Sequence, residues 1–233
     1  MLFDGPDVDL FTESEAQAQR RKEADCYLSR RNGLVDFLRH SSILTELPNS
    51  GRSQFSFQDV VVTIAENLTQ QGRIWLSSAL LSHYIANHKE VVQNKTVVEL
   101  GCGCGLPGIV ASKCGAKSVY LTDFESARDL VNQNIQLNQP LSTPIQFQPL
   151  VWGNSIDHLQ IPVNEPVVVL CSDVVYWESN GSDLRDLCDT IDRINPIVVL
   201  SVYEARSGRS TQLILKSECQ VVHVNVFDYD FNF

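Results

Sequence analysis

The chain has 233 residues, 43% of them hydrophobic, which suits one domain of ordinary size with a substantial core, or one domain with an appended arm. It carries 28 acidic against 18 basic residues, a net charge of −10, which argues against broad binding to nucleic acid, because that depends on Lys and Arg displacing counterions. No apolar run reaches the about 18 residues that span a bilayer, and the opening MLFDGPDVDL lacks the basic and apolar regions of a secretory signal.

The cysteines Cys26, Cys102, Cys104, Cys114, Cys171, Cys188 and Cys219 are odd in number, scattered and mostly inside apolar stretches. Free thiols in a reducing compartment are the simplest reading, so the expected location is the cytoplasm, with the nucleus as a second. A basic protein segment or a small molecule suits the acidic surface as partner, with no nucleic acid and no membrane. The same charge also serves plain solubility.

In chain order, residues 1–15 carry Asp4, Asp7, Asp9, Glu13 and Glu15 without a basic residue and read as an acidic arm. Glu13 to His40 suits a helix, with Leu28, Leu34, Val35 and Leu38 available for one face. LPNSGRS, from Leu47 to Ser53, is loop chemistry. Residues 1–53 are therefore set apart from a domain spanning 54–233. That domain opens with Phe55, Phe57 and Val60 to Ile64, which predict a hairpin. Beyond it the spacing predicts helices over Trp75–His88, Pro107–Cys114, Glu125–Asn138 and Ser182–Ile194. Strands are predicted over Thr96–Leu100, Ser118–Thr122, Ile145–Leu150, Val167–Ser172, Ile197–Tyr203 and Cys219–Phe227. This alternation implies an α/β fold, a mainly parallel sheet between two layers of helix.

The sharpest local signal is Val97-Val98-Glu99-Leu100-Gly101-Cys102-Gly103-Cys104-Gly105. A strand delivers an acid and then a glycine turn into a helix, and Asp123 ends the next strand, where a carboxylate can accept from two ribose hydroxyls. Gly103, Gly105 and Gly108 match the dinucleotide fingerprint G-x-G-x-x-G. That fingerprint should begin at the strand end, Gly101, and in that register Leu106 occupies the third glycine position. E-x-G-x-G-x-G, with the acid inside the strand, fits S-adenosylmethionine better, since Glu99 can help hold an ammonium directly or through water. A dinucleotide enzyme and a structural turn remain as alternatives. C-x-C without further partners nearby is a weak metal signal, and no metal is expected.

Further segments fall in a telling order: Gly72-Arg73-Ile74-Trp75, Leu150-Val151-Trp152-Gly153 and Ser172-Asp173-Val174-Val175-Tyr176. Together with ELGCGCGLPGIVASKCGAKSVYLTD they resemble the seven-β-strand, class I S-adenosylmethionine-dependent methyltransferases of the protein-lysine group, over about Phe55 to Phe227. The resemblance implies a Rossmann-like core with S-adenosylmethionine as cofactor and a protein substrate, such as a chaperone or translation factor. It implies that Trp75 lines the pocket near the methionine end and that Gly101, Cys102 and Gly103 pass the cofactor by their backbone. Asp123 would hold the ribose, Trp152 would pack near the adenine, and Ser172 would offer a main-chain contact. Asp173 and Tyr176 would face the transfer site and position the acceptor nitrogen.

One feature departs from the family. Its seventh strand inserts antiparallel beside the fifth, and here the sequence reaches Phe233 soon after the sixth. The expectation is a sheet without its last strand, leaving either an exposed edge or a relocated sixth strand. Protein-lysine methyl transfer is the leading function. Transfer to arginine or another nitrogen, and a methyltransferase-like binding protein without catalysis, are the alternatives.

Overall fold

The computed structural model describes residues 44–46, 52–67, 69, 72–162, 164–174, 182–203 and 220–225. The acidic arm, the helix expected over Glu13–His40, Tyr176 and the Asp228–Phe233 segment lie outside them.

Two sheets form. In the first, β1 (Leu44–Glu46), β2 (Arg52–Phe57) and β3 (Val60–Ala65) pair antiparallel in that order. The predicted hairpin is β2–β3, closed where Phe57 pairs with Val60. Its alternate residues Phe55, Phe57, Val62 and Ile64 are buried, as the two-residue period of a half-buried strand requires. Three-residue β1 was not foreseen, because it is too short to show a period.

The second sheet holds β4 (Thr96–Leu100), β5 (Ser118–Asp123), β6 (Ile145–Pro149), β7 (Val167–Ser172), β8 (Val198–Tyr203) and β9 (Gln220–Asn225). Their order is β6-β5-β4-β7-β8-β9 and every neighbouring pair is parallel. Of the two outcomes expected for the sixth strand of this core, relocation is observed: β9 lies directly beside β8, Val199 opposite Val221.

Four helices serve this sheet among the described residues: α1 (Leu76–Asn87), α2 (Leu106–Lys113), α3 (Arg128–Leu137) and α4 (Ser182–Ile194). The stretch predicted as one helix from Glu125 begins instead as a short 3-10 turn, Glu125–Ala127. All five residues of β4 are buried, because helices cover both faces of a parallel sheet. Val98 and Leu100 point to the face where α4 inserts Leu187, Ile191 and Ile194, spaced one helical turn apart. Burying such a side chain contributes about 1.5–3 kcal/mol. The alternate residues Val97 and Glu99 point to the opposite face, where Gly108 of α2 meets the Glu99 carboxylate. Among the described residues no helix is long and apolar enough to cross a membrane.

Candidate active site

Strand order reverses at β4, with β5 on one side and β7 on the other, and in such sheets ligands bind outside the carboxyl ends at that reversal. A cleft of about 370 Å³ lies there. Trp75, Gly101, Cys102, Gly103, Asp123, Trp152, Ser172 and Asp173 all line it. These residues come from five separate stretches of chain, and the fold brings them together. Tyr176 lies outside the described residues.

The glycine turn is built by the backbone. Gly101 and Gly103 adopt φ of +65° and +53°, and Gly105 enters α2 at +77°. A Cβ on Gly101 would stand 3.0 Å from Val174 and 3.4 Å from the Trp152 ring, so this turn is both left-handed and close-packed. The Cys102 N–H donates to the Thr122 carbonyl at 2.9 Å, carrying the ladder one residue past β4. The Gly103 N–H donates to one oxygen of Asp123 at 2.9 Å, and the Phe124 N–H to the other at 2.7 Å. Burial raises the Asp123 pKa from its ordinary value, and these two N–H groups pull it back.

Glu99 does not line the cleft. It lies one layer beneath, fully buried, with Oε2 accepting from the Gly108 N–H at 2.8 Å. Its Oε1 has no hydrogen-bond partner among the described residues. Burial pushes its pKa up to about 8, the Gly108 N–H opposes this, and the neighbouring Asp123 charge adds to it. Burial also raises the thiol pKa values of Cys102 and Cys104, which makes them poor nucleophiles. No group of three His, Cys, Asp or Glu side chains among the described residues is arranged to hold a metal ion.

A further wall of the cleft lies at the end of β7. Asp173 sits at φ +53°, its N–H donating to the Val202 carbonyl at 2.8 Å. Trp75 stands at the start of α1, where its carbonyl accepts the Ser78 hydroxyl at 2.7 Å. The sequence reading missed Arg73, Phe124, Asp183 and Asp186, which also line the cleft. Asp183 and Asp186 stand three apart before the apolar stripe of α4, a pattern that would equally suit a solvated helix face. Phe124 directly follows Asp123 and is 52% exposed, an unusual placement for a large aromatic that only the structure reveals.

A parallel sheet with a glycine turn at its point of reversal and an acid ending the next strand fits a class I S-adenosylmethionine-dependent methyltransferase. The family profile described as lysine methyltransferase matches residues 56–218, and the chain belongs to that family. It is 31% identical over 164 residues to the histone-arginine methyltransferase METTL23 of Rattus norvegicus, covering 67% of this chain and 71% of the relative. It is 30% identical over 155 residues to the protein N-lysine methyltransferase METTL21A of Danio rerio, covering 64% and 70%. A solved SAM-dependent methyltransferase from Agrobacterium tumefaciens aligns with TM-score 0.38 at 13% identity, over 67% of this chain and 41% of that one.

S-adenosylmethionine is the cofactor. The residues present fit it. Asp123 lines the cleft with acceptor capacity beyond its two backbone bonds. The glycine turn exposes main chain where a Cβ would intrude, and the orphaned Glu99 Oε1 lies below.

Proposed function

We propose that the chain transfers a methyl group to a lysine side chain of a protein substrate in the cleft, with Asp173 positioning the acceptor nitrogen. The observation that carries the acceptor assignment is the acidic lining: Asp173, Asp183 and Asp186 at the end of β7 and on α4, in the same cleft as the glycine turn. Carboxylates there attract and orient a cationic side chain. When bound, S-adenosylmethionine supplies an electrophilic methyl that passes in line to a neutral amine nitrogen. Asp123 would accept from the ribose hydroxyls, Gly101, Cys102 and Gly103 would offer backbone, Trp152 would pack beside the adenine, and Trp75 would line the methionine end. Ser172 contributes main chain. Glu99, neutral and beneath the cleft, would act through the layer it supports, accepting from the Gly108 N–H of α2, and not as a charge on the cofactor.

The acceptor must lose its proton first, since an ammonium has no lone pair. Carboxylates hold the charged form and desolvation in the cleft favours the neutral one. Asp173 therefore serves as an orienting group, with water taking the proton. Tyr176 is the further candidate for contacting the acceptor, on the D-x-x-Y spacing alone. A chaperone or translation factor is the substrate class proposed, with no part for nucleic acid. The described cysteines Cys102, Cys104, Cys114, Cys171 and Cys188 are free thiols, which supports a cytoplasmic setting, with the nucleus as a second.

Arginine is the second reading, favoured by the relatives named for histone-arginine methylation. Incubation with radiolabelled S-adenosylmethionine and matched cell extract lacking this protein, followed by mass spectrometry of the labelled band, separates the two. Methyl-lysine is expected. Label confined to arginine moves the assignment to the second reading, and absence of any labelled protein overturns both.

A further inference from the structure

β3 is the outer strand of the antiparallel sheet, so its free edge needs partners. Two asparagines of α3 and its end supply them. Asn138 accepts the Thr63 N–H at 3.0 Å and donates to the Thr63 carbonyl at 2.8 Å. Asn134, one helical turn earlier, accepts the Ala65 N–H at 2.8 Å and donates to the Ala65 carbonyl at 3.1 Å. The geometry explains the match: four helical residues rise about 6.0 Å and two strand residues about 6.6 Å. The two amides thus imitate a neighbouring strand.

Asn134 does one thing more. Its Nδ2 also donates to the Cys104 carbonyl at 3.0 Å, inside the glycine turn, and the residue is wholly buried. Both amide hydrogens are therefore committed, one to the hairpin and one to the turn. Removing them leaves the buried carbonyls of Ala65 and Cys104 without this donor. Asn138 has no such bond to the turn: its remaining donation goes to the Asn134 carbonyl.

We propose that Asn134 is a positioning residue for the cofactor turn, fixing Cys104 against the end of β3 so that the hairpin forms part of the frame of the cofactor site. The inference rests on the cofactor occupying the glycine turn. Asn134→Asp keeps the acceptor and removes both donors, and Asn138→Asp makes the same change one turn away without touching Cys104.

Affinity for S-adenosylhomocysteine, measured by calorimetry beside urea stability, separates positioning from folding. Both variants should lose stability. Asn134→Asp should bind at least tenfold more weakly, and Asn138→Asp within about threefold of the parent. In turnover assays Asn134→Asp should raise KM for S-adenosylmethionine while kcat at saturation stays within about threefold. Equal weakening in both variants, or parent affinity in folded Asn134→Asp, overturns the inference. Amide exchange in the parent decides the matter if Asn134→Asp does not fold. Saturating S-adenosylhomocysteine should slow exchange of the Ala65 N–H at least fivefold more than that of Thr63. Equal slowing, or none, overturns it. A parent protein that binds no S-adenosylhomocysteine overturns the site reading beneath the inference as well.

Discussion

Two adjacent strand ends stand side by side at the cleft and solve one backbone problem in opposite ways. β4 and β7 run side by side, Leu100 opposite Cys171. Each exits through left-handed backbone, Gly101 at φ +65° and Asp173 at φ +53°. Each turn also gives an N–H to the strand on its far side, Cys102 to Thr122 of β5 and Asp173 to Val202 of β8. At β4 the turn is made by removing side chains, which brings Val174 and Trp152 up against the main chain. At β7 an aspartate occupies the same conformation, which a short polar side chain can adopt. The lesson is a division of labour. One strand end exposes bare backbone at the cleft, and the other places an aspartate there.

The largest expected effect comes from filling the bare side. A Cβ on Gly108 would stand 2.2 Å from Leu121 and 2.7 Å from the Glu99 carboxylate. Gly108→Ala should destabilise the fold by about 3 kcal/mol, the upper range for overpacking, as read by urea denaturation. Stability within error of the parent would show that the packing between α2 and β5 yields easily.

Asp123→Ala should weaken S-adenosylmethionine by roughly 10- to 150-fold, from about 1.5–3 kcal/mol of lost charge-assisted bonds. Its backbone bonds to Gly103 and Phe124 are lost as well, so the turn itself should loosen. Unchanged affinity in calorimetry would remove Asp123 from the cofactor side.

At β7, Asp173→Asn keeps a residue that tolerates positive φ, whereas Asp173→Ala adds strain of about 1–2 kcal/mol. The asparagine variant therefore isolates the charge. Methyl transfer should fall at least about tenfold, with cofactor affinity within about twofold. Transfer at the parent rate would show that the acceptor is oriented by other groups.

The smallest effect sharpens the buried layer. Glu99 is held protonated by burial, its pKa raised to about 8 from 4.5. Between those values the unfolded chain ionises this group and the folded one does not, so unfolding is favoured as pH rises. Stability should fall by up to about 1.4 kcal/mol per pH unit across that window from this group, and not below it. Glu99→Gln should flatten that slope in urea titrations at pH 5 to 8. An identical slope in the variant would mean that the carboxyl is ionised in the folded protein.

Much of the fold was legible because the strands are written in β-branched runs. Val167-Val168-Val169 and Val97-Val98 can only be buried, and the glycine turn after Leu100 marks the switch to helix. That Gly101, Cys102, Gly103 and Asp123 meet at one cleft was equally readable, since a glycine turn after one strand and an acid ending the next fall together at the carboxyl edge of a parallel sheet. The rest was hidden for physical reasons. Glu99 was read as an acid inside the strand, but only the arrival of α2 shows that the Gly108 N–H caps it. Asn134 and Asn138 fall in the stretch predicted as helix over Glu125–Asn138, and helical spacing alone does not show that they are buried against a strand edge from a distant part of the sequence. Asp183 and Asp186 fall in the helix predicted over Ser182–Ile194, whose spacing alone does not say that they line a cleft.

The uniform direction of the six-stranded sheet bears on how the chain finds its fold. Parallel neighbours cannot be joined by a tight turn, so each pairing waits for an intervening crossover. Thr96 must meet Val167 before β4 and β7 can register at all. The β2–β3 hairpin, closed by local contacts, can form within microseconds, whereas the sheet carrying the cleft depends on distant encounters and belongs to the slow end of folding rates. While that sheet assembles, its valine-rich strands are exposed together, and this interval is when the chain is most open to aggregation.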